Sequence, residues 1–205
     1  MALHEQRIYL ASASPRRREL LKQIGVHFEL LLLRTHPDRC DVDETPGNGE
    51  DPRDYVMRLA RAKAETGHTA FRSRCLAPHP VLAADTTVTF DGKIIGKPKD
   101  RMEAAEILRL LSGQCHEVHT AIAMAYGSDV MVQISTSRVE FGKLNERMIK
   151  DYIATGEPHD KAGAYGIQGR AAAFIARMEG SYSGVMGLPL YETAQLLDKF
   201  GIDVL

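Results

Sequence analysis

Residues 8–33 read IYLASASPRRRELLKQIGVHFELLLL, and this stretch decides the fold class. The apolar run at 8–11 predicts a short buried strand. Ser14-Pro15 is typical of a helix start, because serine caps orphan backbone N–H groups and proline fits the first turn. The helix should stop at Gly25, and residues 28–33 predict a second strand. Strand and helix alternate from the outset, which favours an α/β fold.

The rest of the chain continues this mixture, so we expect a single α/β domain over residues 1–205 with a mixed sheet. After the second strand we predict a polar acidic loop at 34–51, a helix that begins at Asp51-Pro52 and a loop at 67–80. A strand at 81–84 should end at Asp85. A hairpin should follow at 87–95, with its turn at Asp91-Gly92. Beyond it the predicted elements are a helix with Asp100 and Glu103 at capping-box spacing, antiparallel strands at 116–126 and 130–141, a helix at 145–155, a strand at 172–178 and a helix from Leu190.

Composition narrows the classes of function. The 26 Lys and Arg nearly balance the 27 Asp and Glu, so no overall charge points to nucleic acid or to a membrane surface. Three widely spaced cysteines fit neither a disulfide framework nor a zinc site. The N-terminus lacks the apolar region of a signal peptide, and no apolar run approaches the ~20 residues of a membrane span. We therefore expect a cytoplasmic protein without membrane or nucleic-acid partners.

A first candidate anion site lies at the strand-to-helix turn with the sequence SASPRRR, residues 12–18. A helix N-terminus already carries partial positive charge, so several arginines there are disfavoured without an anion. The hydroxyl of Ser12 and the guanidinium groups of Arg16 and Arg17 would suit phosphate. The alternative is a solvated basic turn.

Two further segments carry carboxylates and lysines. Asp85, beside Thr86, is placed where an apolar strand should end, and a carboxylate at such an edge can bind a metal or activate water. Lys97 follows the hairpin. Asp43-Glu44 in the acidic loop offers hard oxygen ligands for Mg²⁺ or Mn²⁺, although loop carboxylates are often merely solvated. Lys63, on the following helix, would ordinarily be a surface lysine with a partly buried stem.

A fourth segment, residues 157–169, reads EPHDKAGAYGIQG and is expected to be too irregular for the core. Glycine-rich backbone together with Lys161 suits a polyanionic ligand, with Asp160 beside it. Gln168 offers both a donor and an acceptor, which suits the edge of a nucleobase.

In this order, the segments resemble the Maf family of nucleoside triphosphate pyrophosphatases. The resemblance covers nearly the whole chain. The matching segments are 10–17 (LASASPRR), 59–64 (LARAKA), 84–86 (ADT), 96–98 (GKP), 111–113 (LSG), 156–158 (GEP), 160–169 (DKAGAYGIQG) and 187–190 (GLPL).

The resemblance implies an elongated mixed sheet flanked by helices, with two lobes and the active-site cleft between them. It also implies hydrolysis of a nucleoside triphosphate to the monophosphate and pyrophosphate with a divalent cation, Mg²⁺ or Mn²⁺, and a homodimer. By this likeness, Asp85 is the catalytic carboxylate and Glu44 its companion in binding metal, with Asp43 left as an alternative. The implied triphosphate clamp comprises Ser12, Arg16, Arg17, Lys63, Lys97 and Lys161.

Three positions carry the implied substrate preference. Arg16, Thr86 and Gln168 match the branch of the family that acts on dTTP and UTP, whereas the 7-methyl-GTP branch has tryptophan, glutamine and glutamate there. A cationic methylated purine favours an aromatic face and a carboxylate, and this chain contains no tryptophan. The alternatives are a 7-methyl-GTP or broad house-cleaning pyrophosphatase, and a regulator of septum formation without a primary catalytic role.

Overall fold

The structure is a computed structural model that describes residues 6–34 and 40–204. Residues 1–5, at the N-terminus that was predicted to lack the apolar region of a signal peptide, lie outside the described residues. So do residues 35–39 of the predicted acidic loop. Within the described part, the strands are β1 (Arg7–Leu10), β2 (His27–Leu30), β3 (Val81–Phe90), β4 (Lys93–Ile95), β5 (Cys115–Tyr126), β6 (Asp129–Phe141) and β7 (Ile175–Glu179). The helices are α1 (Pro15–Gln23), α2 (Pro52–Ser73), α3 (Arg101–Leu111), α4 (Glu146–Ala154), α5 (Tyr182–Met186) and α6 (Leu190–Lys199), with short 3₁₀ turns at Glu157–Asp160, Ala162–Ala164 and Arg170–Phe174.

These strands form one mixed sheet in the order β2-β1-β3-β5-β6-β7, with β4 also paired to β3. β1 is parallel to β2 and β3, and the remaining pairs are antiparallel. The predicted α/β class with a mixed sheet is therefore confirmed.

Apolar side chains pack the sheet into two regions. Around β1 and the first half of β3, α1 and α6 cover one face and α2 covers the other. At the far end of the sheet, α3 and α4 pack over a separate cluster that contains Val88 and Phe141. β3 passes from the first region to the second, so its middle residues lie between them.

Two predicted boundaries were wrong, one at the end of α2 and one within β3. The loop expected at 67–80 is helical as far as Ser73, because Gly67 allows α2 to approach the sheet: a Cβ there would lie 2.7 Å from Val81 Cγ1. The strand expected to end at Asp85 continues to Phe90, so Asp85 lies within a ten-residue strand rather than at its edge. Its continuation is polar but rich in threonine and valine, which suit a strand.

Smaller differences concern element ends. Ser14 occupies the N-cap of α1 without capping through its side chain; instead its N–H donates to Ser12 Oγ at 3.2 Å. The strands expected at 28–33 and 172–178 are His27–Leu30 and Ile175–Glu179, the latter preceded by a 3₁₀ turn. One half of the capping box of α3 is present, since Asp100 Oδ1 accepts from the N–H of Glu103. Glu103 Oε2 accepts from the N–H of Lys99 instead of that of Asp100. Among the described residues, no helix is both long and apolar enough to cross a membrane.

Candidate active site

The candidate site lies at a gap along one edge of β3. β1 pairs with β3 at Val81 and Leu82, and β4 pairs with it at 88–90, so residues 83–87 have no strand on that side. β1 runs parallel to β3 and β4 runs antiparallel to it. The chain leaving β1 at Ser12 and the chain leaving β4 at Lys97 therefore both emerge at the gap.

Asp85 and Thr86 lie at this gap and point to opposite faces of the sheet, as successive residues of a strand must. Asp85 faces α2, where its Oδ1 lies 2.6 Å from Lys63 Nζ. Thr86 faces the side of α1, where its Oγ1 lies 3.2 Å from Arg17 Nη2. The gap thus separates a carboxylate side from an arginine side.

Lys63 joins the two carboxylates that the sequence singled out. Its Nζ lies 2.6 Å from Asp85 Oδ1 and 2.6 Å from Glu44 Oε1, and its side chain is only 15% exposed. The alternative of an ordinary surface lysine is therefore excluded. Burial alone would raise the pKa of Glu44, but the charge and hydrogen bond of Lys63 lower it below its usual value. Glu44 is thus held ionised at the cleft.

The acidic loop is held in place by α2. Tyr55 donates its hydroxyl to the carbonyl of Glu44 at 2.9 Å, and Arg58 forms two hydrogen bonds to Glu50, at 2.7 and 2.8 Å. Asp43 turns away and accepts from the N–H of Thr45, so Glu44 is the member of the acidic pair that lines the cleft.

Tyr55 also belongs to the site, although the sequence did not single it out. Burial, followed by the charges of Asp85 and Glu44, raises the pKa of Tyr55 to about 12. Its spacing from Leu59 matched an apolar face, and nothing in that pattern indicates a cleft.

On the opposite face, three elements hold Arg17. Its Nε donates to the carbonyl of Gly187 at 2.7 Å, Nη1 to Ser12 Oγ at 3.3 Å, and Nη2 to Thr86 Oγ1 at 3.2 Å. Burial lowers the pKa of Arg17, while the charges of Asp85 and Glu44 raise it. A guanidinium has five N–H groups, so two remain for a ligand.

The segment 157–169 is more deeply packed than expected. Ala164, Tyr165 and Ile167 are buried, because its 3₁₀ turns fold against β3 and α3. Glu157 accepts from the N–H of Arg170, and a Cβ at Gly169 would lie 2.1 Å from Glu157 Oε2. A side chain at position 169 would therefore displace the carboxylate of Glu157 from the N–H of Arg170.

This packing presents polar groups at the cleft. Lys161 Nζ donates to the carbonyl of Glu157 at 2.7 Å and to Asp160 Oδ1 at 2.5 Å. Gln168 is exposed at the cleft wall. Behind it, the hydroxyl of Tyr165 lies 2.8 Å from His116 Nε2, and burial lowers the pKa of His116 to about 4, so this histidine is neutral. Tyr165 also lines the cleft and was missed by sequence reasoning.

Together these segments enclose a cleft of about 540 Å³. Among the described residues that line it, five cations face three carboxylates. Apart from the alternative Asp43, the residues that the sequence singled out for the site lie there, namely Ser12, Arg16, Arg17, Glu44, Lys63, Asp85, Thr86, Lys97, Lys161 and Gln168. The excess of positive charge suits a polyanionic ligand.

The fold and the cleft define an α/β protein with a cationic ligand site. In this site the carboxylates of Glu44 and Asp85 both contact Lys63 Nζ. A family model described as Maf-like protein matches residues 7–200. The chain therefore belongs to the family of Maf-like proteins.

Individual relatives match over nearly the full length. A protein of Nitrosomonas europaea named dTTP/UTP pyrophosphatase is 54% identical over 198 residues, 96% of each chain. Proteins with the same name from Aromatoleum aromaticum and Nitrosospira multiformis are 57% and 56% identical, over 96% and 100% of this chain and 97% and 99% of theirs. Among solved structures, the Staphylococcus aureus Ham1 protein superposes with a TM-score of 0.44 and 17% identity, over 66% of this chain and 71% of that one.

Proposed function

We propose that this protein is a nucleoside triphosphate pyrophosphatase that hydrolyses dTTP and UTP to the monophosphate and pyrophosphate. The observation that carries the proposal is the convergence of Asp85, Glu44 and Lys63 in a cationic cleft of a Maf-like chain. The full-length relatives named dTTP/UTP pyrophosphatase support the choice of substrate.

In this proposal Asp85 is the general base. A water oxygen attacks the α-phosphorus, the bond from that phosphorus to the bridging oxygen breaks, and pyrophosphate leaves with the bonding electrons. Asp85 takes the proton of the attacking water and later returns it to solvent. Lys63 holds Oδ1 of Asp85, and the described residues provide no hydrogen-bond partner for Oδ2, which is thus left to accept the proton.

The cations position the triphosphate and neutralise its charge. Arg17 is fixed by three hydrogen bonds before a ligand arrives, so its two remaining N–H groups are preorganised for phosphate oxygens. Arg16 in the first turn of α1, Lys97 after β4 and Lys161 between two 3₁₀ turns line the same cleft. Ser12, which binds Arg17, adds a hydroxyl at the turn before α1.

The carboxylates fit a divalent cation. Both reach a single nitrogen of Lys63, and Mg²⁺ is commonly held by one or two carboxylates together with substrate phosphates. The described residues contain no cluster of three or more His, Cys, Asp or Glu side chains for a metal held by protein alone. Glu44 and Asp85 would hold Mg²⁺ or Mn²⁺, which would neutralise phosphate charge.

Pyrophosphate release from dTTP, UTP, CTP, GTP and 7-methyl-GTP tests the proposal, with Mg²⁺, with Mn²⁺ and with EDTA. We expect the highest kcat/KM for dTTP and UTP and no release in EDTA. A lead by 7-methyl-GTP would contradict the pyrimidine preference. No release from any nucleotide by folded protein would contradict the enzyme itself.

We assign direct contact with the base to Gln168, one of the three positions that carry the implied substrate preference. The amide of Gln168 can both donate to and accept from a uracil or thymine edge, whereas a glutamate can only accept. We expect Gln168→Glu to lower kcat/KM for dTTP about tenfold relative to 7-methyl-GTP, as one lost hydrogen bond implies. Both substrates are measured in parallel.

Gln195→Glu is the matched control. Gln195 lies on the exposed part of α6, where its Nε2 donates to the hydroxyl of Tyr191. The same chemical change outside the cleft should leave the substrate ratio unaltered. An unaltered ratio in Gln168→Glu as well would remove Gln168 from base selection.

A further inference from the structure

Thr120 lies behind the cleft and was not singled out by its sequence context. It is fully buried on β5, directly opposite Thr86 of β3. Its Oγ1 lies 3.0 Å from Thr86 Oγ1 and 2.7 Å from the carbonyl oxygen of Gly184. Thr120 does not line the cleft, so it has no route to a substrate except through its neighbours.

The positions of these oxygens fix the hydroxyl hydrogens. A carbonyl oxygen only accepts, so the 2.7 Å contact with Gly184 requires the hydrogen of Thr120. The 3.0 Å contact between the two threonines then requires the hydrogen of Thr86. Thr86 Oγ1 keeps its lone pairs for Arg17, which donates from Nη2 at 3.2 Å.

A continuous chain of hydrogen bonds therefore runs from Arg17 through Thr86 and Thr120 to Gly184. The same backbone segment also supplies the carbonyl of Gly187, which accepts from Arg17 Nε at 2.7 Å. Both ends of the chain are thus anchored at the 184–187 segment. With its hydroxyl hydrogen committed to Thr120, Thr86 has none to offer a nucleotide.

We propose that Thr120 is a positioning residue for the triphosphate: it orients the hydroxyl of Thr86 so that Arg17 presents its two remaining N–H groups to the ligand. The proposal rests on the proposed function of the cleft. It gives Thr86 a role through Arg17, in place of direct contact with the base.

Thr120→Val tests the proposal, because valine keeps the shape of threonine and removes the hydroxyl. We expect the dissociation constant of inorganic triphosphate, measured by calorimetry with Mg²⁺, to rise about fivefold, as the loss of one hydrogen bond implies. KM for UTP should rise by a similar factor, with a smaller change in kcat. Thr120→Ser restores the hydroxyl and should bind like the wild type.

Thr193→Val is the matched control. Thr193 is also fully buried, and its Oγ1 donates to the carbonyl of Pro189 at 2.7 Å, but it does not contact Arg17. It should lower the melting temperature about as much as Thr120→Val and leave triphosphate binding unchanged. Equal weakening of binding by both variants would overturn the proposal.

An Arg17→Lys background separates positioning from general damage. Lysine lacks the guanidinium fork, so adding Thr120→Val should cause no further loss of triphosphate binding. An undiminished further loss would show that Thr120 does not act through Arg17, and would overturn the proposal. If Thr120→Val does not fold, Thr86→Val is measured instead, because it breaks the same chain of hydrogen bonds. The results expected for Thr120→Val, and those that would overturn the proposal, apply to it unchanged.

These measurements stay informative if the proposed activity fails. A wild-type protein that binds triphosphate and hydrolyses no nucleotide would contradict the proposed function, while the binding comparison would still decide the role of Thr120. Wild-type binding by Thr120→Val, or no triphosphate binding by the wild type, would overturn the positioning proposal.

Discussion

Asp85→Asn is expected to lower kcat for dTTP and UTP about 100-fold or more while the fold remains intact. Asparagine keeps the shape of aspartate, and its Oδ1 can still accept from Lys63, which retains Glu44 as its second partner. What disappears is the carboxylate that takes the proton of the attacking water. Pyrophosphate release at saturating nucleotide and metal measures kcat, and thermal melting followed by circular dichroism checks the fold.

Glu146→Gln provides the control for this change. Glu146 accepts two hydrogen bonds from Arg109, both at 2.8 Å, on an exposed surface outside the cleft. The variant makes the same exchange of carboxylate for amide and should retain wild-type kcat. Wild-type turnover by Asp85→Asn would remove Asp85 from the proposed mechanism.

Local signals predicted most of the fold. The capping-box spacing at Asp100 predicted the start of α3, and the antiparallel strands predicted at 116–126 and 130–141 are β5 and β6, because both signals depend on residues close in sequence. The α2 prediction stopped at Gly67, since glycine is a weak helix former. That glycine instead meets Val81 and Ala11, which belong to other elements, so tertiary packing decided its conformation.

The site could be predicted as a set of residues but not as an arrangement. Ser12, Lys97 and Asp85 were singled out separately by local chemistry. Their meeting depends on the gap between β1 and β4, which is a property of strand register. The burial of Tyr165 also escaped prediction, because glycines around it suggested a solvated loop whereas the chain packs there against β3.

The hydrogen-bond chain behind Arg17 shows the same limit. Thr120 lies in an apolar strand, where a threonine ordinarily indicates only a preference for β structure. Its role comes from facing Thr86 across the sheet and Gly184 across a turn, 34 and 64 residues away in sequence. Sequence patterns detect charged residues around a phosphate site more readily than the buried hydroxyls that orient them.

Lys63→Met is expected to lower kcat/KM for dTTP and UTP about 100-fold, the scale of removing one preorganised donor from an active site. Methionine keeps an apolar stem of similar length and removes the charge that Glu44 and Asp85 share. The two carboxylates then lie near each other without a cation between them. Their repulsion should also alter the pH dependence of activity.

The direction in which the pH dependence of activity changes follows from the pKa of Glu44. In the wild type, Lys63 lowers the pKa of Glu44. The stabilisation of the folded state by this ion pair is therefore present above the pKa that Glu44 has in the unfolded chain. It is lost as the pH falls through the lower pKa of Glu44 in the folded protein. Without Lys63, burial raises the pKa of Glu44, and the carboxylate becomes protonated at a higher pH. The acid limb of kcat/KM against pH should therefore move upward in Lys63→Met.

Lys150→Met separates this local effect from a general loss of positive charge, since Lys150 is exposed on α4, outside the cleft. Its pH profile and kcat/KM should match those of the wild type. An acid limb that stays in place in Lys63→Met, despite a loss of kcat/KM, would mean that the ionisation of Glu44 does not limit the reaction. Lys63 would then act through the substrate phosphates alone, and the metal-binding role proposed for Glu44 would lose its main support.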